Sequence, residues 1–567
     1  MASLFKLRCH ELVEVMKKII FFLSFGLFIF TACKGDEPTS QNTSTRILEI
    51  NSVQINNSVM IANSVVYSIS LAVKPVIKIV FNDTIDITKF ISSRVTINGD
   101  IGTNYIATKG ENNKTLLLTS TVLPKELTGY TININPGSNL GGKINTGFTS
   151  EFITELDTTP KFPVISDDSL LTLVQKKTFD YFWSYAHPVS GLARERLNSG
   201  ETVTFGGSGF GLMGIPVAIE RGFITRAEGL DRMNKIVNFL NLSTTDKFHG
   251  AFPHWMNGST GKVIPFGTQD DGADLVETAF FMQGLLTVQS YFKNGNTTEK
   301  NMCSNIETLY ENVEWSWFQQ NGQQKLFWHW SPDYSWVINM QISGWDEALI
   351  VYVLAAASPT FPITKAVYDN GWALNGGIKN GKSFYGITLP LGPDYGGPMF
   401  FAHYSFLGLD PRKLNDTYAN YWTQNTAHAQ INYQYCVANP KKNYGYGVNC
   451  WGLTASDIKD SYTASSPTND VGVIAPTAAL SSFPYTPVES MRALHFFYYT
   501  LGDKIWGTYG FNDAFNLNQV WFATSYLAID QGPIVVMIEN YRTGLLWNLF
   551  MQNTNIQAGL TKLGFTY

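Results

Sequence analysis

Charge is scarce in this sequence. Asp, Glu, Lys and Arg make up 15% of the 567 residues, and the formal net charge is −5. Such a chain carries no polycation signal, which argues against nucleic acid as a partner. Disorder is excluded as well, because 44% of the residues are hydrophobic and the chain can bury a large core. Cysteine is rare, with five residues, and no Cys/His spacing matches a zinc site. No metal or other cofactor is required, although a cluster of Asp and Glu oxygens could still hold a cation such as Ca²⁺. The apolar run from Ile19 to Phe30 is too short to cross a bilayer as a helix.

Aromatic residues are abundant: 14 Trp, 27 Tyr and 38 Phe. Large rings fill cores. They also suit a sugar site, where a flat apolar face with a polar tip meets a pyranose ring.

From Met16 the N-terminus reads "MKKIIFFLSFGLFIFTACKGDEP". Lys17 and Lys18 form a basic start, Ile19 to Phe30 an apolar stretch, and small residues lead to Cys33. The "FTAC" ending resembles a bacterial lipoprotein signal. It implies that residues 1–33 are a signal, with Met16 the start of translation and Cys33 lipidated after cleavage. The expected location is the cell envelope, as a monomer anchored to the outer membrane through Cys33, on its periplasmic or its outer side. Cys436 and Cys450 flank the loop "CVANPKKNYGYGVNC". In an oxidising envelope they could close a disulfide or remain two free thiols.

Residues 34–45 are polar and read as a tether. Residues 46–155 consist of short β-branched runs such as "SVVYSISLAV", "PVIKIVFNDTIDI" and "GYTININPG", separated by turn residues. This pattern predicts a β-sandwich that resembles Ig-like modules. Residues 156–168 read as a linker.

Residues 169–567 read as helical, with two alternating kinds of helix. Amphipathic segments fall at 170–185, 225–240, 297–316, 362–370, 414–433 and 487–501. Segments apolar nearly all round fall at 209–219, 273–292, 345–357, 399–408, 471–480 and 533–551. A helix apolar all round must be buried, whereas a striped one packs on a surface. Six of each, alternating, predict two concentric rings, an (α/α)6 barrel.

Acids gather where the inner helices start. In "TQDDGADLVETAFFMQGLL", Asp270, Asp274 and Glu277 share one helical face at 100° per residue if the helix extends back to Asp270. That face continues as Phe281, Gly284 and Val288, so the acids stand at the mouth of a buried helix. Asp271 points elsewhere and is the expected cap. Acids favour the first turn of any helix, but three on a face that becomes buried are costly unless paired or wet. Clustered carboxylates raise one another's pKa, which suits acid–base work near neutral pH. "ISGWDEALIVYVLAAASP" repeats the arrangement, with Asp346 as cap and Glu347 as candidate proton donor beside Trp345. "YLAIDQGPIVVMIENYRTG" offers Asp530 just before Pro533 at a helix start. Glu539 follows, either ion-paired with Arg542 three residues on or in contact with substrate.

The adjoining loops bring further polar and aromatic groups. The candidates for substrate contact are Arg194, His254, Trp255, Trp330, Trp336, Trp345, His403, Tyr404, Trp451, Glu539 and Tyr541. Carboxylates flanking a groove of this composition meet the requirement for cleaving a glycosidic bond.

Several stretches together, among them "FPHWMN", "TQDDGADLVETAFFMQGLL", "GGPMFFAHYSFLGLDPR" and "LAIDQGPIVVMIENYRTGLLW", resemble the glucoamylase-like domain of glycoside hydrolase family 144. The resemblance implies an (α/α)6 toroid that cleaves β-1,2-glucan with inversion, either endo-acting or exo-acting with release of sophorose. It matches the activity-linked acids to Asp270, Asp274, Glu277 and Glu347, and the C-terminal acid to Asp530 with Glu539 as second choice. Relatives carry Asn where this chain has Asp346. On this reading Glu347 is the general acid and Asp530 the base. Two alternatives remain open at this point: a non-catalytic glycan-binding lipoprotein on the same barrel, and a phosphorylase or lyase.

Overall fold

The computed structural model describes residues 45–567. The signal, the lipidation of Cys33 and all but the end of the tether lie outside the described residues.

Strands occupy the chain from Ile47 to Thr154. Five of them form one sheet around Val76–Phe81, which pairs antiparallel with Ile50–Ile55 and Thr115–Ser120. A second sheet of four strands centres on Gly129–Ile134 and Phe148–Thr154. Strict alternation sends Ile77, Ile79 and Phe81 of one sheet, and Tyr130, Ile132 and Ile134 of the other, into one shared apolar core. This all-β unit packs on the helical region. Leu127 and Ile153 join a cluster with Leu170, Leu171 and Val174, Tyr67 stacks on Tyr444 at 5.2 Å, and Glu126 bridges Lys161 and Lys504.

The helical region is an (α/α)6 toroid. The inner ring is apolar on every side. All residues from Phe205 to Ala218 in the helix Phe205–Glu220 are buried, as are all nine of Leu349–Ala357. The outer helix Arg226–Asn241 buries one stripe only. Glycine lets the inner helices touch. A Cβ at Gly209 would lie 2.3 Å from the carbonyl oxygen of Phe280, and one at Gly284 would lie 2.2 Å from that of Gly209. Two backbones therefore cross where any side chain would separate them.

The ring departs from the sequence pattern in four places. Segment 362–370 becomes a short helix, Lys365–Val367, continued by a π turn over Tyr368–Trp372. Segment 399–408 is two 3-10 turns, Met399–Ala402 and Tyr404–Leu407, which meet at His403 with φ −110°. Segment 471–480 shortens to Pro476–Leu480: Gly472 has φ 78°, and Pro476 fits a first helical turn. The last inner helix runs from Ala528 to Arg542 with Pro533 inside it, and the break before Leu545–Met551 falls at Gly544, φ 72°. A further helix, Thr554–Leu563, closes the chain.

Candidate active site

The inner helices begin at one mouth of the toroid, and the acids gather there. The helix Leu275–Phe292 starts later than its charge pattern suggests. Asp274, not Asp271, is its N-cap: Oδ1 accepts the backbone N–H groups of Val276 at 3.0 Å and Glu277 at 2.9 Å. Asp270 precedes the helix in a loop. Asp274 can serve as cap because it also belongs to a short ladder, Ala273–Asp274 against His329–Trp330, which holds it extended.

The other Asp274 oxygen lies 2.9 Å from Nδ1 of His254. Burial opposes charge on His254, but the surrounding carboxylates of Glu277, Asp274 and Asp270 outweigh it and push the imidazole up to about 9. His254 is thus a cation wedged among acids. Asp270 is 6% exposed, and its Oδ1 lies 3.1 Å from Nε2 of His329, which is fully enclosed. Neither side chain has a well-aligned hydrogen-bond partner among the described residues. Ligand atoms of His254, Asp270 and Asp274 fall within 4.8 Å of one another, the spacing of a cation site. Both Asp274 oxygens are already committed to the cap and to His254, which leaves Asp270 as the free member.

Glu277 extends this wall. Its Oε2 accepts the N–H of Gly206 at 2.6 Å and the hydroxyl of Thr204 at 3.1 Å, so it sits on the N-terminus of the neighbouring inner helix. A Cβ at Gly206 would lie 2.8 and 2.9 Å from the two Glu277 oxygens. Gly206→Ala is expected to displace that carboxylate and lower kcat/KM by about 10²-fold. Melting should fall modestly as well, because the displaced Glu277 loses its buried hydrogen bonds to Gly206 and Thr204. Steady-state kinetics and thermal unfolding on one preparation check both halves.

Glu347 stands opposite, two residues before the helix Leu349–Ala357. Its backbone carbonyl accepts the Ser405 hydroxyl, and Asp346 accepts the Ala348 N–H at 2.8 Å, which fixes the turn. Burial pushes the Glu347 carboxyl up to about 7, and the facing charges of Asp274 and Glu277 add to the effect. Asp346 is raised well above the usual range, first by burial and then by Glu347.

Asp530 lies in the first turn of Ala528–Arg542 and is 1% exposed. Its carboxyl is raised well above the ordinary range by burial and by Asp513. The Tyr404 hydroxyl, itself raised by burial, is within electrostatic reach of Asp530 and Glu347 together. Glu195 likewise feels the charge of His254 and of Asp457. The acids of three inner helices therefore address one mouth.

The structure moves several expected contacts away from it. Glu539 is paired with Arg221, not Arg542, at 2.8 and 2.9 Å. Nine residues of helix place it about 13 Å from Asp530. Tyr541, two residues on, is exposed and packs tilted against Phe483 with ring centroids 5.4 Å apart. His403 is a core residue: Nε2 lies 3.0 Å from the Ser482 hydroxyl, and burial lowers its pKa to about 3. Trp451 is fully buried, and its ring N–H donates to the Glu489 carbonyl. Trp345 is buried against Gly392 and Phe406. Arg194 donates to the carbonyls of Gly200 and Tyr185, so it staples its own loop. Cys436 and Cys450 are free thiols. Burial pushes Cys436 up to about 12 and Cys450 well above its ordinary value. Trp255 stays beside the site, with Phe266 stacked on His254 at 4.1 Å and edge-on to Trp255 at 4.8 Å. Trp330 and Trp336 pack around Trp317 at 5.4 and 4.7 Å, partly exposed.

The Glycoamylase family model matches residues 339–554. The solved endo-β-1,2-glucanase of Chitinophaga pinensis, a complex with sophorotriose and glucose, is 52% identical. Its TM-score is 0.70, over 71% of this chain and 99% of that one. The chain belongs to this glucoamylase-like family. A β-1,2-glucanase of Parabacteroides distasonis is 38% identical with a TM-score of 0.69, over 92% of this chain and 73% of that one. The likeness therefore takes in the β unit. An exo β-1,2-glucooligosaccharide sophorohydrolase of the same species, acting at the non-reducing end, is 47% identical over 421 residues. That match covers 70% of this chain, which spans 58% of the relative's length.

Three polar residues of this glucoamylase-like chain escaped the sequence reading: Asp457, Asp513 and His329. Each is a lone acid or imidazole in a loop or short strand, without helical periodicity to mark it. Only the structure brings Asp457 and Asp513 beside Asp530 and sets His329 across from Asp274.

Proposed function

We propose that this chain hydrolyses β-1,2-glucan with inversion at the anomeric carbon. The observation that carries the reading is the convergence of acids from three inner helix starts, Asp274 and Glu277, Glu347, and Asp530, on one mouth beside His254, with the Glu347 carboxyl pushed up to about 7 by burial. Glu347 gives its proton to the leaving glycosidic oxygen, and Asp530 takes a proton from the attacking water. The wall of Asp270, Asp274 and Glu277, with the His254 cation, binds sugar hydroxyls. A purely glycan-binding barrel has no use for an acid held protonated by burial. The Chitinophaga and Parabacteroides relatives, named for β-1,2-glucan, support the substrate class.

Linear β-1,2-glucan, with and without phosphate, tests the reading. New reducing ends are expected at equal rates in both, with no glucosyl phosphate and none from α-1,4- or β-1,3-glucan. Inert β-1,2-glucan, or cleavage that requires phosphate, contradicts it. The sizes of the first products separate endo from exo action.

The domain division follows from the same reading: 46–155 a module, 156–168 a linker, 169–567 the catalytic toroid. The lipoprotein-like "FTAC" ending supports, separately, placement as an outer-membrane lipoprotein anchored at Cys33. Cys33→Ser should move the protein from the membrane to the soluble fraction; unchanged membrane retention would refute the anchor.

A further inference from the structure

One exposed aromatic ring lies against the acid wall. Phe266 is 37% exposed and stacks on the His254 imidazole with ring centroids 4.1 Å apart. Trp255 meets Phe266 edge-on at 4.8 Å and His254 edge-on at 5.8 Å, so the three rings form one cluster. His254 in turn holds Asp274 through Nδ1 at 2.9 Å. Backbone pairing fixes which way the cluster faces. Thr204, Trp255 and Ile264 stand opposite one another in a three-stranded sheet, so their side chains share one face. On that face the Thr204 hydroxyl donates to Glu277 at 3.1 Å. The neighbouring Val203 and Met256 point the other way, into the core. A tight loop ties Phe266 to Asp270. The Phe266 N–H donates to the Asp270 carbonyl at 2.9 Å, and the Asp270 N–H donates to the Gly267 carbonyl at 2.9 Å. Each acid of the wall is thus linked to the ring cluster: Asp270 through this loop, Asp274 through His254, and Glu277 through the sheet.

A single exposed phenylalanine on a surface needs no explanation. This one is held by two other rings beside three carboxylates, and the rest of its surface is open. A β-glucosyl ring carries its hydroxyls equatorially and its C–H bonds axially, so it offers an apolar face with a polar rim. The face matches an aromatic ring, and the rim matches carboxylates, which accept hydrogen bonds. We propose that Phe266 is a substrate-binding residue: a glucosyl residue of the β-1,2-glucan stacks on its open side, with hydroxyls toward the acid wall, while its other side covers His254. This rests on the reading of the mouth as a glucan-cleaving site.

Stacking of this kind is made equally to the substrate and to the transition state. Its loss therefore raises KM and leaves kcat in place. A ring that only covered His254 would act through the Asp274 contact, and its loss would show in kcat instead. The two roles also differ in what replaces the ring. Cover over His254 needs apolar bulk, which leucine supplies, whereas stacking needs a flat face, which tyrosine keeps and leucine lacks.

The test compares Phe266→Leu, Phe266→Tyr and wild type in the full chain on linear β-1,2-glucan, with KM and kcat measured separately and thermal unfolding alongside. In Phe266→Leu, KM should rise about five- to tenfold while kcat stays within about twofold. In Phe266→Tyr both should stay within about twofold of wild type. A wild-type KM in Phe266→Leu overturns the platform. So does a fall in kcat at unchanged KM, which would leave Phe266 as a positioning residue for His254. So does a Phe266→Tyr as impaired as Phe266→Leu, which would reduce the ring to a packing contact. Should Phe266→Leu fail to fold, Phe266→Met carries the same comparison. Wild type inert on β-1,2-glucan removes the substrate reading and the platform with it, whereas active wild type with an unmoved KM in Phe266→Leu removes the platform alone.

Discussion

Glu347→Gln is expected to lower kcat on β-1,2-glucan by roughly 10²–10⁴-fold, the usual worth of a positioned general acid. The substitution keeps the shape and removes the transferable proton. The pH dependence is the sharper signature. With the folded-state carboxyl at about 7, wild-type kcat should fall as pH rises through that value, because Glu347 then ionises. The variant should lack this alkaline limb. Stability should move the opposite way. A carboxyl whose folded pKa is raised contributes stability that is present at low pH and lost as pH rises through the folded value. Glu347→Gln should therefore unfold at a higher temperature than wild type above pH 7, because it no longer buries a charge facing Asp274 and Glu277. Equal melting across pH, or retained turnover, would remove Glu347 from the acid role.

Arg221→Met is expected to cost about 3–5 kcal/mol of stability and leave kcat unchanged. Glu539 is 1% exposed, and Arg221 clamps it through two hydrogen bonds while Gln175 and Thr543 supply others. Removing the cation strands a buried charge, and a penalty of that size follows from it. Burial alone would raise the Glu539 pKa, but Arg221, Gln175 and Thr543 lower it overall. A carboxyl with a depressed folded pKa contributes stability above its unfolded pKa and loses it as pH falls through the folded one. The gap between variant and wild type should accordingly close in acid. Thermal unfolding at several pH values, with kinetics alongside, checks this. Normal melting with lost activity would return Glu539 to the substrate.

These two carboxylates mark what the sequence made legible. The run after Glu277 is uncharged and apolar, so a helix buried beyond its first turn followed directly, and with it the inner ring and its acidic mouth. Glu347 was legible for the same reason. Glu539 was not, because its partner Arg221 is 318 residues away and only helix crossing brings the two together. The Asp271 cap failed because a two-residue ladder with His329–Trp330 delays the helix to Leu275. Asp513 left no trace, since a single acid in a loop has no period. His403 and Trp451 show the converse: polar or aromatic residues in long loops can be core when the loops themselves fold inward.

Inversion at the anomeric carbon is the central claim, and proton NMR of the first products of β-1,2-glucan cleavage tests it most directly. Inversion gives the α-anomer as the initial product, turning to the equilibrium mixture only by mutarotation. The β-anomer appearing first would mean a covalent intermediate and retention, and would contradict the roles given to Glu347 and Asp530.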